Sequence, residues 1–164
     1  MNVELADEHV ALTNLNRQLA QQLRPGDTRI ELLTSVLRGG SRARVRIYNA
    51  SGNLVSPPSS ERYYSGEFTW DLGIAIDKLR AACYREGAGT WFSATITVTE
   101  QGTTNAEYNY DNEPEWDTPI DPAAYVEDQE FFPRDLSAQP QWLRQRLAEG
   151  QARIDASGNK RRRR

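Results

Sequence analysis

Between Glu107 and Glu130 the chain carries nine carboxylates and no Lys or Arg. They are Glu107, Asp111, Glu113, Glu115, Asp117, Asp121, Glu127, Asp128 and Glu130, and Tyr108, Tyr110, Trp116 and Tyr125 interleave with them. Three chemistries use such a segment. A calcium loop would take Asp111, Glu113 and Glu115 as its first, third and fifth positions, but it needs Gly at the sixth and Glu at the twelfth. Those positions are Trp116 and Pro122, so the pattern fails where geometry matters. A glycosidase or nuclease pair needs a buried acid of raised pKa beside a cleft, which clustered acids alone do not supply. The third chemistry is recognition. Aromatic rings act as buried anchors, while carboxylates steer the encounter with a Lys- and Arg-rich partner and fix its register. This reading is favoured. It names Tyr108, Tyr110, Asp111, Glu113, Glu115, Trp116 and Asp117 as partner-binding residues, with no catalytic residue, metal or cofactor. The alternatives are a metal-dependent hydrolase built on the Asp111–Asp117 carboxylates, or a non-catalytic adaptor that self-assembles.

Other catalytic patterns are missing. The chain has no G-x-S-x-G elbow and no P-loop, and Gly87-Ala88-Gly89 precedes a strand pattern instead of opening a helix. His9 is the sole histidine and has no companion for a metal or catalytic site. Cys83 is the sole cysteine, which excludes an internal disulfide and fits a reducing compartment. It falls on an apolar helical stripe, where inert packing is expected. The net charge is −3, yet Lys160 to Arg164 contribute five positive charges, so the rest carries −3 − 5 = −8. An acidic body repels nucleic acid and anionic membrane and attracts basic partners. No stretch approaches the ~18–20 apolar residues of a membrane span. The opening MNVELADEHV has neither a basic start nor an apolar run, unlike a secretion signal.

Positioning these residues requires a scaffold. Leu5, Leu12, Leu15, Leu19 and Leu23 follow one helical stripe, which predicts a helix over 4–24 stopped by Pro25-Gly26-Asp27. Ile30, Leu32, Thr34 and Val36 alternate with Arg29, Glu31, Leu33 and Ser35 in a first strand. Ala43, Val45 and Ile47 alternate likewise in a second, opposite Arg42, Arg44 and Arg46. That arginine row is expected to pair across the sheet with Glu31, Glu107 or Asp111. A short strand near Leu54 and a loop at Pro57-Pro58-Ser59-Ser60 follow. Leu72, Ile76, Leu79 and Cys83 mark a helix over 67–86. Thr90 to Thr99 is the strongest strand pattern, and Gln101-Gly102-Thr103 turns it into a partner over 105–111. Asp121-Pro122 opens a short helix to Glu130, and Gln139-Pro140 opens another with Trp142, Leu143 and Leu147. Tight turns join consecutive strands, so the expected class is α+β: an antiparallel sheet with helices packed on one face. The expected layout is a single domain over 1–155 and a disordered basic tail over 156–164.

Several of these segments form a pattern. Gly89-Thr90-Trp91-Phe92-Ser93, Asn109-Tyr110-Asp111, Asp111-Asn112-Glu113-Pro114, Tyr125, Phe131-Phe132-Pro133-Arg134 and Pro140-Gln141-Trp142-Leu143 together resemble the YezG-like immunity proteins of actinobacterial polymorphic toxin systems. The resemblance covers about residues 66–147; the first 60 match in layout only, and the basic tail departs from the pattern. It implies a small cytoplasmic bacterial α+β protein, an antitoxin and not an enzyme. Such a protein binds the toxic C-terminal domain of a secreted effector, commonly a nuclease. Tyr110, Asp111, Glu113, Pro114 and Trp116 are the positions it carries over. No membrane and no direct nucleic-acid contact are expected, and a homo-oligomer is compatible with it.

Overall fold

The computed structural model describes residues 3–55, 66 and 68–162, with side chains from residue 6 onward. In chain order it contains α1 (Val3–Ala20), β1 (Asp27–Leu37), β2 (Gly40–Asn49), α2 (Trp70–Ala82), β3 (Ser93–Thr99), β4 (Thr104–Asn109), α3 (Ala123–Phe131), a 3-10 turn (Leu136–Ala138) and α4 (Gln141–Arg162). The strands form one sheet in the order β2-β1-β3-β4. The bonds from Val36 N to Phe92 O and from Glu100 N to Thr28 O pair β1 with β3 in opposite directions, as the two hairpins pair their own strands. This is the expected α+β class with an antiparallel sheet. The loop expected at 57–60, the first residue of the helix expected from 67, and Arg163 and Arg164 lie outside the described residues.

The chain divides into two compact units. The first comprises residues 1–34, 43–83 and 93–108. Its core follows from period alone. Leu15 and Leu19 of α1 and Leu72, Ile76, Leu79 and Cys83 of α2 are buried, as are alternate residues Ile30, Leu32, Val45, Ile47, Ala94, Ile96 and Val98 of the strands. α1 packs on α2 and on β3. Thr69 caps α2, its hydroxyl accepting from Leu72 N at 3.1 Å, which satisfies one of the donors a helix start leaves unpaired. α1 ends at Ala20, four residues before the expected stop. Gln22 N and Leu23 N bond back to Leu19 O and Ala20 O, tightening the last turn before Pro25, whose ring bars its predecessor from helical geometry. The strand expected near Leu54 is a single bridge to Tyr48.

The second unit comprises residues 35–42, 84–92 and 109–164. Its core is aromatic. Leu37, Phe92, Ala124, Tyr125 and Leu143 are buried, with Trp116, Ile120, Trp142 and Leu147 packed around them. Trp142 meets both Phe92 and Tyr125 edge-on, at centroid distances of 5.1 and 5.9 Å. α3 and α4 lie close because Gly150 has no side chain: a Cβ there would stand 2.3 Å from the Pro122 carbonyl oxygen.

α4 corrects the expected tail. It continues without a break to Arg162, so residues 156–162 are helical where disorder was expected. The helix runs through Ser157, Gly158 and Asn159 despite their weak propensity. Gln151 Nε2 donates to Asp155 and Ser157 Oγ to the Arg153 carbonyl. Lys160, Arg161 and Arg162 occupy the last turn, where positive charge opposes the helix dipole.

Candidate functional site

The acidic segment begins where β4 ends. The Asn109 side chain closes the first turn in both directions: its Nδ2 donates to Asn112 O, and its Oδ1 accepts from Asn112 N, each at 2.9 Å. This local bonding is what makes Asn a turn residue. From here to Asp117 the chain has no regular structure, so its backbone groups need partners from elsewhere.

Arg134 supplies the main one. It is buried, and its Nη2 donates to Tyr110 O at 2.7 Å and to Thr90 O at 2.8 Å, while Nη1 donates to Ala138 O at 3.2 Å. Its guanidinium carbon lies 4.6 Å from the Phe92 ring centre. The Asp111 carboxylate stands 3.9 Å from Nη1, though that side chain is 85% exposed. A rigid planar fork suits this task, since it can hold several carbonyls at once. Room for it comes from Gly89, at φ 79°, where a Cβ would sit 2.4 Å from Arg134 Nε. Trp142 Nε1 donates to Asp111 O at 2.7 Å. Ser35 Oγ donates to Glu115 O at 3.1 Å.

Glu113 is held by its side chain. Arg146 Nε donates to Glu113 Oε1 at 2.6 Å, and Arg146 Nη1 to Glu149 Oε2 at 3.0 Å. The bond to Glu113, and next that to Glu149, raise the Arg146 pKa above its usual value. Trp116 turns inward, and its Nε1 donates to the Tyr125 hydroxyl at 3.1 Å. Burial of Tyr125 raises the pKa of its phenol, with the Trp116 bond opposing.

The structure therefore sorts the residues singled out by sequence. Asp111, Glu115 and Asp117 are exposed. Glu113 is a half-exposed member of an ion pair. Pro114 is buried, and Trp116 supports the loop from inside. Tyr110 is half-buried and lends its carbonyl to Arg134. Tyr108 belongs to the first unit, half-buried with its hydroxyl oxygen shielded from solvent. Asp128 is buried and accepts from Arg38 N at 2.9 Å.

Among the described residues, no three His, Cys, Asp or Glu side chains converge as a metal-holding group. Of the cross-strand pairs expected for the arginine row, Arg46 stands 3.7 Å from Glu31. Arg42 donates to Thr118 Oγ1 and to Ser41 O. Asp111 finds Arg134 in place of the row, because β4 and β2 occupy opposite edges of the sheet. Sequence reasoning missed Arg134 and Arg146 as the residues that hold the loop. The available signal was indirect: a stretch of nine acids with no base must find its cations beyond its own ends.

No family model matches the chain, and no curated protein matches it at a significant level.

Proposed function

We propose that this protein is an immunity protein: a stoichiometric inhibitor that binds the toxic C-terminal domain of a secreted polymorphic toxin inside the bacterial cell. It acts by occlusion and without turnover. The observation that carries the reading is the clamped acidic loop. Its backbone is held at Tyr110, Asp111 and Glu115 by Arg134, Trp142 and Ser35, while the carboxylates of Asp111 and Glu115 face solvent. A recognition loop fixed before binding spares much of the ordering cost of association.

The chemistry of the target follows from charge. A nuclease holds a polyanion and so presents a basic cleft. An acidic, preformed surface can cover that cleft and compete with nucleic acid. Opposite charge raises association above the ~10⁵–10⁶ M⁻¹s⁻¹ of neutral pairs, which matters when a single free toxin is lethal. The family resemblance of the 109–116 segment supports the same reading.

The test is co-expression. The chain is paired, one at a time, with the C-terminal domains of secreted effectors from the same genome, and growth rescue and a 1:1 complex are scored. Rescue by one domain is the expected result. In the complex, Glu115→Gln with Asp117→Asn should lower the association rate and flatten its salt dependence. Failure of every domain to bind, or an unchanged salt slope, overturns the proposal or its electrostatic half respectively. Turnover of a substrate by the isolated chain, dependent on added magnesium or manganese, would favour the hydrolase instead.

A further inference from the structure

The two edges of the sheet differ. β2 is covered: Val55 N bonds to Ile47 O at 2.8 Å, Gly66 N bonds to Val45 O at 3.0 Å, and Leu54 bridges Tyr48. β4 ends the sheet on the other side. Thr99 N bonds to Thr103 O just before β4, and Phe92 N to Asn109 O at its end. The odd-numbered residues therefore turn their backbone groups toward β3. Alternation turns those of Thr104 and Ala106 outward, where no described residue takes them. Such an edge is ordinarily blunted by Lys, Pro or a bulge. Between Thr103 and Tyr110 the chain has no Lys, Pro or Gly, and Glu107 is its sole charge. Asn105 and Glu107 are exposed on one face of the strand, and Asn105 Nδ2 donates to Glu107 Oε1 at 3.3 Å.

We infer that β4 pairs antiparallel with β4 of a second copy of this chain, about a two-fold axis at Ala106, and joins two sheets into one. The sequence sets that register. Only residues whose backbone groups face outward can exchange bonds, so the facing residue shifts two positions at a time. Centred on Ala106, the two alanines exchange both backbone bonds. Asn105 of each chain then stands directly opposite Glu107 of the other, in the close spacing of a non-hydrogen-bonded pair. The amide donates across the axis as it now does along the strand. One step onward sets Glu107 against Glu107, a like-charge pair that destabilises. One step back sets Asn105 against Asn105 and leaves Glu107 facing Thr103, which has no charge to offer. Matching itself is what a two-fold interface demands of a surface. A basic strand would find one carboxylate along this edge, too little to select it. The inference stands apart from the proposed function.

Sedimentation of the full chain across a dilution series reads the dimer. The Ala106 N–H faces away from β3, so Ala106→Pro removes the central donor and leaves the chain's own ladder bonded; it should weaken dimerisation about tenfold or more. Asn105→Asp sets a carboxylate against Glu107 at two places and should weaken it about tenfold, whereas Asn105→Lys should tighten it about threefold. Circular dichroism melting curves report folding, and exposed Asn105 carries the test if Ala106→Pro unfolds. Mild oxidation reads the register. A mixture of Asn105→Cys and Glu107→Cys chains should cross-link, because directly opposite residues fall within disulfide reach, and neither variant alone should. The native Cys83 is buried. Cross-linking of Asn105→Cys or Glu107→Cys by itself overturns the axis at Ala106. A monomer at every concentration, or a dimer indifferent to the folded Asn105 and Ala106 variants, overturns the inference. A monomeric chain whose folded Ala106→Pro variant no longer rescues growth gives the edge to a toxin strand, and the second copy is again overturned.

Discussion

The two units reach order by different means. In the first, Leu15, Leu19, Leu79, Ile96 and Val98 are buried by their place in a helical or alternating period, and the stabilising quantity is apolar area and volume. In the second, much of the ordered chain is irregular. Its geometry depends on donors that reach across tens of residues: Arg134 to Tyr110, Trp142 to Asp111, Ser35 to Glu115. Packing tolerates shape-conserving exchange, whereas a planar fork on three carbonyls has no isostere. The lesson is that the proposed recognition surface sits in the region whose order is polar and specific, which is also the region most easily lost by one substitution.

The sharpest way to break this contrast is a matched pair. Leu79→Ala in the first unit should cost about 2–5 kcal/mol by urea unfolding, and Leu79→Met less than about 1.5 kcal/mol. Arg134→Met should cost about 2–4 kcal/mol, since three carbonyls lose a charged donor. Here the conservative Arg134→Lys should recover little, because an ammonium cannot span the same acceptors. Full recovery by lysine would show that charge alone matters. Gly150→Ala comes next. Helix propensity favours alanine by about 1 kcal/mol, but its Cβ meets the Pro122 carbonyl. A net loss of about 1–3 kcal/mol is expected from overpacking, and a gain would mean that α3 and α4 part without cost.

The Tyr125 phenol gives a pH test. Burial first, partly offset by the Trp116 bond, raises its pKa in the folded chain. Above the unfolded value of about 10, the unfolded state loses its proton first and the folded state binds more. Stability is thus fully present below that pH and falls as pH rises through the folded value. Tyr125→Phe should flatten the alkaline limb of a melting-temperature profile, at a neutral-pH cost of about 1 kcal/mol for the lost Trp116 acceptor. The smallest effect is expected at the half-exposed Glu113–Arg146 pair: Glu113→Gln should cost no more than about 1 kcal/mol, shrinking at high salt.

The same contrast explains what could be read in advance. Periods of 3.6 and 2 placed the α2 stripe Leu72, Ile76, Leu79 and Cys83 and the β3 row Ala94, Ile96 and Val98, and all seven are buried. Tight turns then implied an antiparallel sheet, which the bonds from Val36 N to Phe92 O and from Glu100 N to Thr28 O bear out. The loop gave only composition. Its acids and rings were visible, but which ring turned inward was not, because Trp116 answers to Tyr125 nine residues away. Arg134 carried no period, and its partners Thr90 and Tyr110 lie 44 and 24 residues distant. The helical end of α4 escaped notice because Ser157, Gly158 and Asn159 are individually poor helix formers.

That helix brings positive charge back to the acidic segment. Gly150 is the last buried residue of α4, and Arg162 lies 12 residues beyond, about 18 Å along a helix axis. Its bases meet the acidic segment on the way: Arg153 Nε stands 3.1 Å from Asp121 Oδ2, and Arg161 lines a surface recess together with Asp121 and Ala123. Trimming Lys160 to Arg164 would strip positive charge from this edge of the acidic segment and take the net charge from −3 to −8.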